Sequence, residues 1–204
     1  MKDFRAQLAA GLKGEDLVKA WLRHDGHLVV SDFGAMKPYL GPRVYGPSDM
    51  IIQPDLLAIK EEDTPPKFWV EVKSKSVFSW HRITAKWTTG VDVSKYDQYL
   101  EIINQTGWDV LIVFLHFDER SGRYGDAPWP CPTGLFWQWL DKLETQENHR
   151  WGDMVYWAHD TLNKDASIEG LIRIKQEQDE EDRAALITER TPVQPEVGPQ
   201  LDLW

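Results

Sequence analysis

The sequence predicts an α/β fold in which a helix, three strands, a second helix and a fourth strand follow one another, with further strands and an acidic tail beyond them. Three observations carry this expectation. Apolar residues return every three or four positions over residues 5–24, the period of one helical stripe. Two apolar, β-branched segments, 50–60 and 68–74, flank the charged, Pro-containing loop KEEDTPPK. The run DVLIVFLHF over 109–117 has strand length and no polar face, the pattern of a strand covered on both sides.

Taken in order, Leu8, Leu12, Val18 and Leu22 mark the stripe of the first helix, and Gly26 stops it. Glu15 falls inside that stripe, with Gly11 and Gly14 beside it, where an unpaired carboxylate is costly. Residues 28–30 suggest a short strand, and 34–47, with Pro38, Gly41, Pro42 and Gly46, a long irregular loop. The strand over 50–60 is interrupted at Pro54 and Asp55. In the next strand the period of two places Phe68, Val70 and Val72 on one face and Trp69, Glu71 and Lys73 on the other. Ser94, as N-cap, opens a helix to Gln105 with Tyr99, Ile102 and Ile103 facing inward, and Gly107 lies just past its end. After the 109–117 strand come an aromatic segment over 135–143 and expected strands at 154–158 and 171–174. The text turns acidic and helical from Gln176 to Thr188, then Pro-rich. The expected division is a domain over 1–175 and a flexible, acidic, Pro-containing tail over 176–204.

The 204 residues suffice for one domain with a sizeable core and an appendage. The single cysteine, Cys131, excludes an internal disulfide and any multi-cysteine metal site. No apolar run approaches the roughly 18 residues of a membrane span, and none follows Met1 as a secretory signal would. The net charge is −10, but it is unevenly placed: residues 1–100 hold 14 Lys and Arg against 13 Asp and Glu, and residues 101–204 hold 9 against 20. Within the first half, residues 72–91 carry Lys73, Lys75, Arg82 and Lys86 and no carboxylate, interleaved with Phe78, Trp80 and Trp87. That composition suits phosphate contacts and base stacking; a solvated rim around core tryptophans is the other reading. The histidines show no metal-ligand spacing and read as structural or surface residues.

The chemistry concentrates in four residues. If the two strands are neighbours, Asp55 and Glu71 come within a few ångströms of one another. Carboxylates that close repel unless one is protonated or a cation lies between them, and a hard ion such as Mg²⁺ suits oxygen donors. Lys73, about 7 Å from Glu71 along the same strand face, is placed to orient or deprotonate a water and to offset charge on a phosphate. Singly, each has an ordinary reading, as a solvated strand face or an Asx turn; together, on ordered elements with apolar flanks, they point to a site.

Pro54-Asp55, a gap of fifteen residues, and Glu71-Val72-Lys73 resemble the signature of the PD-(D/E)XK nuclease superfamily, and the order of elements over roughly residues 8–117 resembles its restriction-endonuclease-like core. The resemblance implies that Asp55, Glu71 and the Val72 carbonyl hold Mg²⁺, with Mn²⁺ as a substitute. It also implies that Lys73 is the catalytic lysine, that Glu15 is the first-helix acid of resolvase-like members, serving the metal, and that Gln98 is an accessory polar residue. The expected activity is hydrolysis of DNA phosphodiester bonds in replication, recombination or repair, with Lys75, Arg82, Lys86, Trp80 and Gln98 on the DNA. A non-catalytic module of the same fold that binds DNA or a replication protein, and a nuclease acting on RNA, are the competing readings. Monomer and homodimer both stay open.

The last five residues, Gln200, Leu201, Asp202, Leu203 and Trp204, resemble the bacterial sliding-clamp-binding peptide, with Trp in place of Phe. They follow a spacer containing Pro192, Pro195 and Pro199. The resemblance implies a bacterial clamp as partner and a cytoplasmic bacterial or bacteriophage protein; the alternative is an apolar end that docks back on its own domain.

Overall fold

The computed structural model describes residues 4–30, 43–45, 50–60, 67–118, 127, 128 and 130–190. The clamp-like peptide Gln200–Trp204, the Pro-rich spacer, and the 34–47 loop apart from residues 43–45 lie outside the described residues. The first helix, α1, spans Phe4–His24, and Gly26 closes it at φ +81°. Strand β1 (His27–Val30) pairs antiparallel with β4 (Leu56–Lys60), which pairs antiparallel with β5 (Lys67–Lys75). The strand expected over 50–60 is split: its first part, β3 (Met50–Ile52), pairs with β2 (Arg43–Tyr45) of the region expected to be loop as a separate hairpin, and only β4 joins β5.

A second insertion follows β5. Strands β6 (Ser79–His81) and β7 (Lys86–Asp92) form a hairpin that the sequence did not announce, because its turn, Arg82–Ala85, contains no Gly, Asn or Pro, and Ala85 itself takes φ 51°. Helix α2 (Val93–Thr106) then starts earlier than expected, with Asp92 and not Ser94 at the N-cap position. No side chain caps it; the first N–H, of Val93, donates to the Asp153 carbonyl at 2.8 Å. Gly107 ends it at φ 69°, where a side chain would be strained. Strand β8 (Val110–His116) runs parallel to β5, and β9 (Gly134–Trp139) and β12 (Asn163–Ala166) extend the sheet antiparallel. The six-stranded order is β1-β4-β5-β8-β9-β12. The expected helix, three strands, helix, strand is thus present as α1, β1, β4, β5, α2 and β8, with two hairpins inserted.

Every residue of β8 is buried, as its unbroken apolar run requires. Leu111, Val113 and Leu115 meet Leu17, Val18 and Leu22 of α1 on one side; Val110, Ile112 and Phe114 join Tyr99 and Ile102 of α2 on the other. That second layer also contains a four-stranded sheet, β10-β11-β7-β6, built from β10 (Asn148–Trp151), β11 (Met154–Ala158) and the inserted hairpin. Trp157 of β11 is fully buried there and donates its indole N–H to the Leu143 carbonyl of the short helix α3 (Leu140–Thr145) at 3.0 Å.

Residues 171–174, read as a strand, belong to helix α4 (Ile168–Arg190), and the chain does not leave the domain at residue 176. Leu171 is buried under the sheet, Gln178 donates to the Ala20 carbonyl at 3.0 Å, and Arg23 makes two 2.9 Å bonds to the Asp182 carboxylate. A short apolar tetrad followed by an acidic run reads as strand and tail, but in space it is one helix whose few apolar and polar anchors lie along α1. No helix among the described residues is long and apolar enough to cross a membrane.

Candidate active site

The site is built where β4 enters the sheet beside β5. Pro54 fixes the turn, so that Asp55 precedes Leu56, the residue opposite Val70, and the Asp55 Oδ2 accepts the backbone N–H of Val72 at 2.8 Å. Glu71 and Lys73 share the α2 face of β5, as the period of two predicts, and their side chains are hydrogen-bonded to each other. Glu71 is almost fully buried and Lys73 half-buried. A strand that is apolar elsewhere therefore carries a buried acid and its cation on one face.

Tyr99 completes the group. Its ring is buried against the sheet from α2, and its hydroxyl is hydrogen-bonded to Glu71. Burial first, then the Glu71 charge and that bond, hold the phenol far above its ordinary pKa, so it is a fixed donor. The sequence placed Tyr99 inward but gave it only a packing role; the missed signal is that a buried tyrosine needs a partner for its hydroxyl.

The electrostatics are those of crowded acids. Burial is the largest effect on Asp55 and the neighbouring Glu71 the next; together they push its carboxyl well above the usual range, against the Val72 N–H and the Lys73 ammonium. Burial opposes the charge of Lys73, but Glu71 and the hydrogen bond to it prevail, and the lysine pKa rises. Glu15 is half-buried on α1, and its charge is the weakest of those acting on Asp55. What brings it there is Gly14: a Cβ on this residue would lie 1.8 Å from the Ser74 hydroxyl and 3.1 Å from its Cβ, so only glycine lets α1 lie this close to β5.

Among the described residues no three His, Cys, Asp or Glu side chains gather as a metal cage. Glu15 thus does not join Asp55 and Glu71 as a third ligand in this arrangement. The pair alone is nonetheless the donor set a hydrated Mg²⁺ takes, since that ion keeps most of its waters and binds one or two carboxylates.

The other expected contacts are dispersed. Lys75 does not project outward; its ammonium donates to the Gly90 carbonyl of β7 at 2.7 Å, and burial, then the Lys73 charge, lower its pKa to about 8. Lys86 is bridged to Asp160 at 3.0 Å. Arg82 is exposed in the β6–β7 turn, and Trp80 packs edge-on against Trp87 with ring centres 5.2 Å apart. Gln98 is half-buried on α2 beside Tyr99. His116, read as structural, is fully buried and stacked on Phe78 at 3.6 Å.

No family model matches this sequence, and no curated protein matches it significantly. Among solved structures, Hjc, a Holliday junction resolvase from the archaeal hyperthermophile Archaeoglobus fulgidus, is similar to it at a TM-score of 0.43 and 11% identity, over 74% of this chain and 90% of that one. No residue role follows from a likeness at that level.

Proposed function

We propose that this chain is a divalent-metal-dependent nuclease that hydrolyses DNA phosphodiester bonds. The observation that carries the reading is the convergence of Asp55, Glu71 and Lys73 at one sheet position, in the spacing and on the elements that resemble the PD-(D/E)XK signature. Asp55, Glu71 and the Val72 carbonyl would hold Mg²⁺ or Mn²⁺. Such an ion, when bound, polarises a phosphoryl oxygen and makes its water acidic. Lys73 presents a cation where charge accumulates on the phosphate, and its bond to Glu71 orients both groups. Tyr99 adds a second hydrogen bond to Glu71, so that the carboxylate is set before substrate arrives. Glu15 and Asp55 keep the local potential negative, which favours a cation over a bare anion at this position.

The test is cleavage of linear, single-stranded, flapped and four-way-junction DNA by the full chain, with Mg²⁺ and with chelator. Mg²⁺-dependent products that disappear in Lys73→Ala support the reading. Equal products with chelator, or none on any substrate, refute it. The tail adds a separate element: Gln200–Trp204 would dock in extended form on a bacterial sliding clamp, raising the effective concentration of the nuclease at replication sites. A chain ending at Pro199 should then lose clamp binding in calorimetry and still cut short linear DNA; unchanged clamp binding would exclude the peptide.

A further inference from the structure

The outer face of the β10-β11-β7-β6 sheet is concave. Trp87, Thr89 and Val91 of β7 and Val155 and Trp157 of β11 face the core, and the alternate residues therefore face away from it. Flat strands would place β10 and β6 about 14 Å apart, yet the rings of His149 on β10 and His81 on β6 stack with centres 4.0 Å apart and planes 14° apart. The sheet therefore curls enough for side chains of its two edge strands to meet across it. On the other side of His149, the Tyr156 ring stacks at 5.0 Å and 9°. Gly90 makes room for it: a Cβ there would lie 3.0 Å from the Tyr156 ring and 2.1 Å from the Val155 carbonyl oxygen. Three parallel rings thus line a cleft of about 620 Å³.

The rim of the cleft has two unusual properties. Trp151 is 77% exposed and Ile83 91% exposed, apolar surface held in water with no core beneath it. The charged residues of the lining are Arg82 and Arg150, and none of its residues is acidic, in a chain with 33 acids against 23 bases. A local cationic, aromatic surface on an acidic molecule selects for a partner that is anionic and planar.

We infer that this cleft binds single-stranded DNA, with unpaired bases stacked against Trp151 and the end rings of the stack, His81 and Tyr156, and phosphates on Arg82 and Arg150. Duplex DNA hides its base faces and cannot use such a platform, whereas single strands gain from every ring. The cleft is joined to the acid pair by a continuous chain of contacts: Lys73 and Lys75 lie on one strand, Lys75 reaches the Gly90 carbonyl, and Gly90 lies opposite Tyr156. A single-stranded arm seated here would leave the adjoining DNA near β5. The inference rests on the proposed action on DNA, and it narrows the substrate to DNA with an unpaired segment.

Binding can be read without cleavage. Anisotropy of labelled oligo(dT), oligo(U) and a blunt duplex of equal length, with chelator present, would be measured for the full chain and for Trp151→Ala, whose exposed ring makes it safe for folding. The expected result is oligo(dT) bound more tightly than duplex. Trp151→Ala should weaken oligo(dT) about tenfold and duplex little, the scale of one lost stacking contact. Arg150→Gln should weaken both and reduce the salt slope by about one. Undiminished oligo(dT) binding by both variants, equal loss for duplex and single strand in Trp151→Ala, or tighter oligo(U) than oligo(dT) would overturn the inference. So would a dimer that dissociates in Trp151→Ala with oligo(dT) binding unchanged, which would make this face a contact between copies. Cleavage in Mg²⁺ is scored separately: a chain that binds as expected but never cuts refutes the nuclease reading and leaves the platform standing.

Discussion

The backbone N–H of Val72 donates to the Oδ2 of Asp55 at 2.8 Å, tying the turn that enters β4 to the middle of β5. One hydrogen bond thereby fixes how far the two carboxylates stand apart, because Glu71 is the residue before Val72. The bond also keeps Asp55 from swinging away from Glu71 when both are charged, which is the state a cation needs and an empty site resists.

Removing that resistance should raise stability where it removes activity. The Asp55 pKa is raised in the fold, chiefly by burial and then by Glu71, so the stability linked to its protonation is complete below the unfolded value of about 3.9 and is lost as pH rises through the folded value. At neutral pH the wild type carries this penalty and Asp55→Asn does not. With chelator, Asp55→Asn should melt at or above the wild-type temperature, Glu71→Gln should melt below it because the Lys73 ammonium loses its carboxylate, and neither should cut DNA. Mg²⁺ should raise the melting temperature of wild type alone. Retained turnover in either variant, or an equal Mg²⁺ shift, would remove both residues from the metal site.

Tyr99→Phe isolates the hydroxyl. The ring and its packing stay, while the buried Glu71 loses one donor. A hydrogen bond to a charged group contributes about 1.5–3 kcal/mol, and for a chain of this size each kcal/mol moves the melting temperature by about 2–4 °C. The expected outcome is a fall of a few degrees together with a higher Mg²⁺ concentration for half-maximal cleavage, since Glu71 is less firmly placed. An unchanged Mg²⁺ requirement would reduce Tyr99 to a packing residue.

These two cases also show what the sequence could and could not convey. Asp55, Glu71 and Lys73 were legible because strand period and spacing are local properties, and pairing of β4 with β5 brings Asp55 to Val72 with no further condition. The double-sided burial of β8 was legible for the same reason. Tyr99 was seen as core, but its bond to Glu71 depends on how α2 crosses the sheet, which no local pattern encodes. The β6–β7 hairpin was hidden by a turn without turn residues, and with it the destination of Lys75, whose ammonium goes inward to Gly90. Leu171 and Ile172 looked like the start of a strand because four apolar-rich residues are too few to separate the two periods.

Gly14 supplies a third prediction. Alanine is the better helix former by about 1 kcal/mol, so in an open helix the change would stabilise. Here its methyl meets Ser74 and the Leu115 side chain, at 1.8 Å to the Ser74 hydroxyl and 3.3 Å to the Leu115 Cδ1, and overpacking of this kind costs about 1–3 kcal/mol. Gly14→Ala should therefore lose stability on balance and move α1 off β5, lowering cleavage by displacing Glu15. A higher melting temperature with full activity would show that Ser74 rotates away and that Glu15 is not needed at its present position.

His116 makes the acid side of the stability curve specific. It lies opposite Lys75 in the β5–β8 register, fully buried, with its Nε2 3.2 Å from the Thr89 hydroxyl. Burial, then the Lys75 charge, lower its pKa to about 3, only partly opposed by a backbone bond at Val77. For a folded pKa depressed below the unfolded value of about 6.5, the linked stability is complete above that value and is lost as pH falls towards the folded one. Between the two, the loss is about 1.4 kcal/mol per pH unit. His116→Phe keeps a ring against Phe78 but leaves the Thr89 hydroxyl without this partner, a cost of about 1 kcal/mol at pH 7. The variant has no proton to take up, so its disadvantage should shrink on acidification and turn into an advantage near pH 5. Urea melts of both proteins from pH 7.5 to 4.5 would show the curves crossing. Parallel curves would mean that His116 takes up its proton in the fold at the same pH as in the unfolded chain, and that the contact between the end of β5 and the inserted hairpin tolerates a second cation beside Lys75.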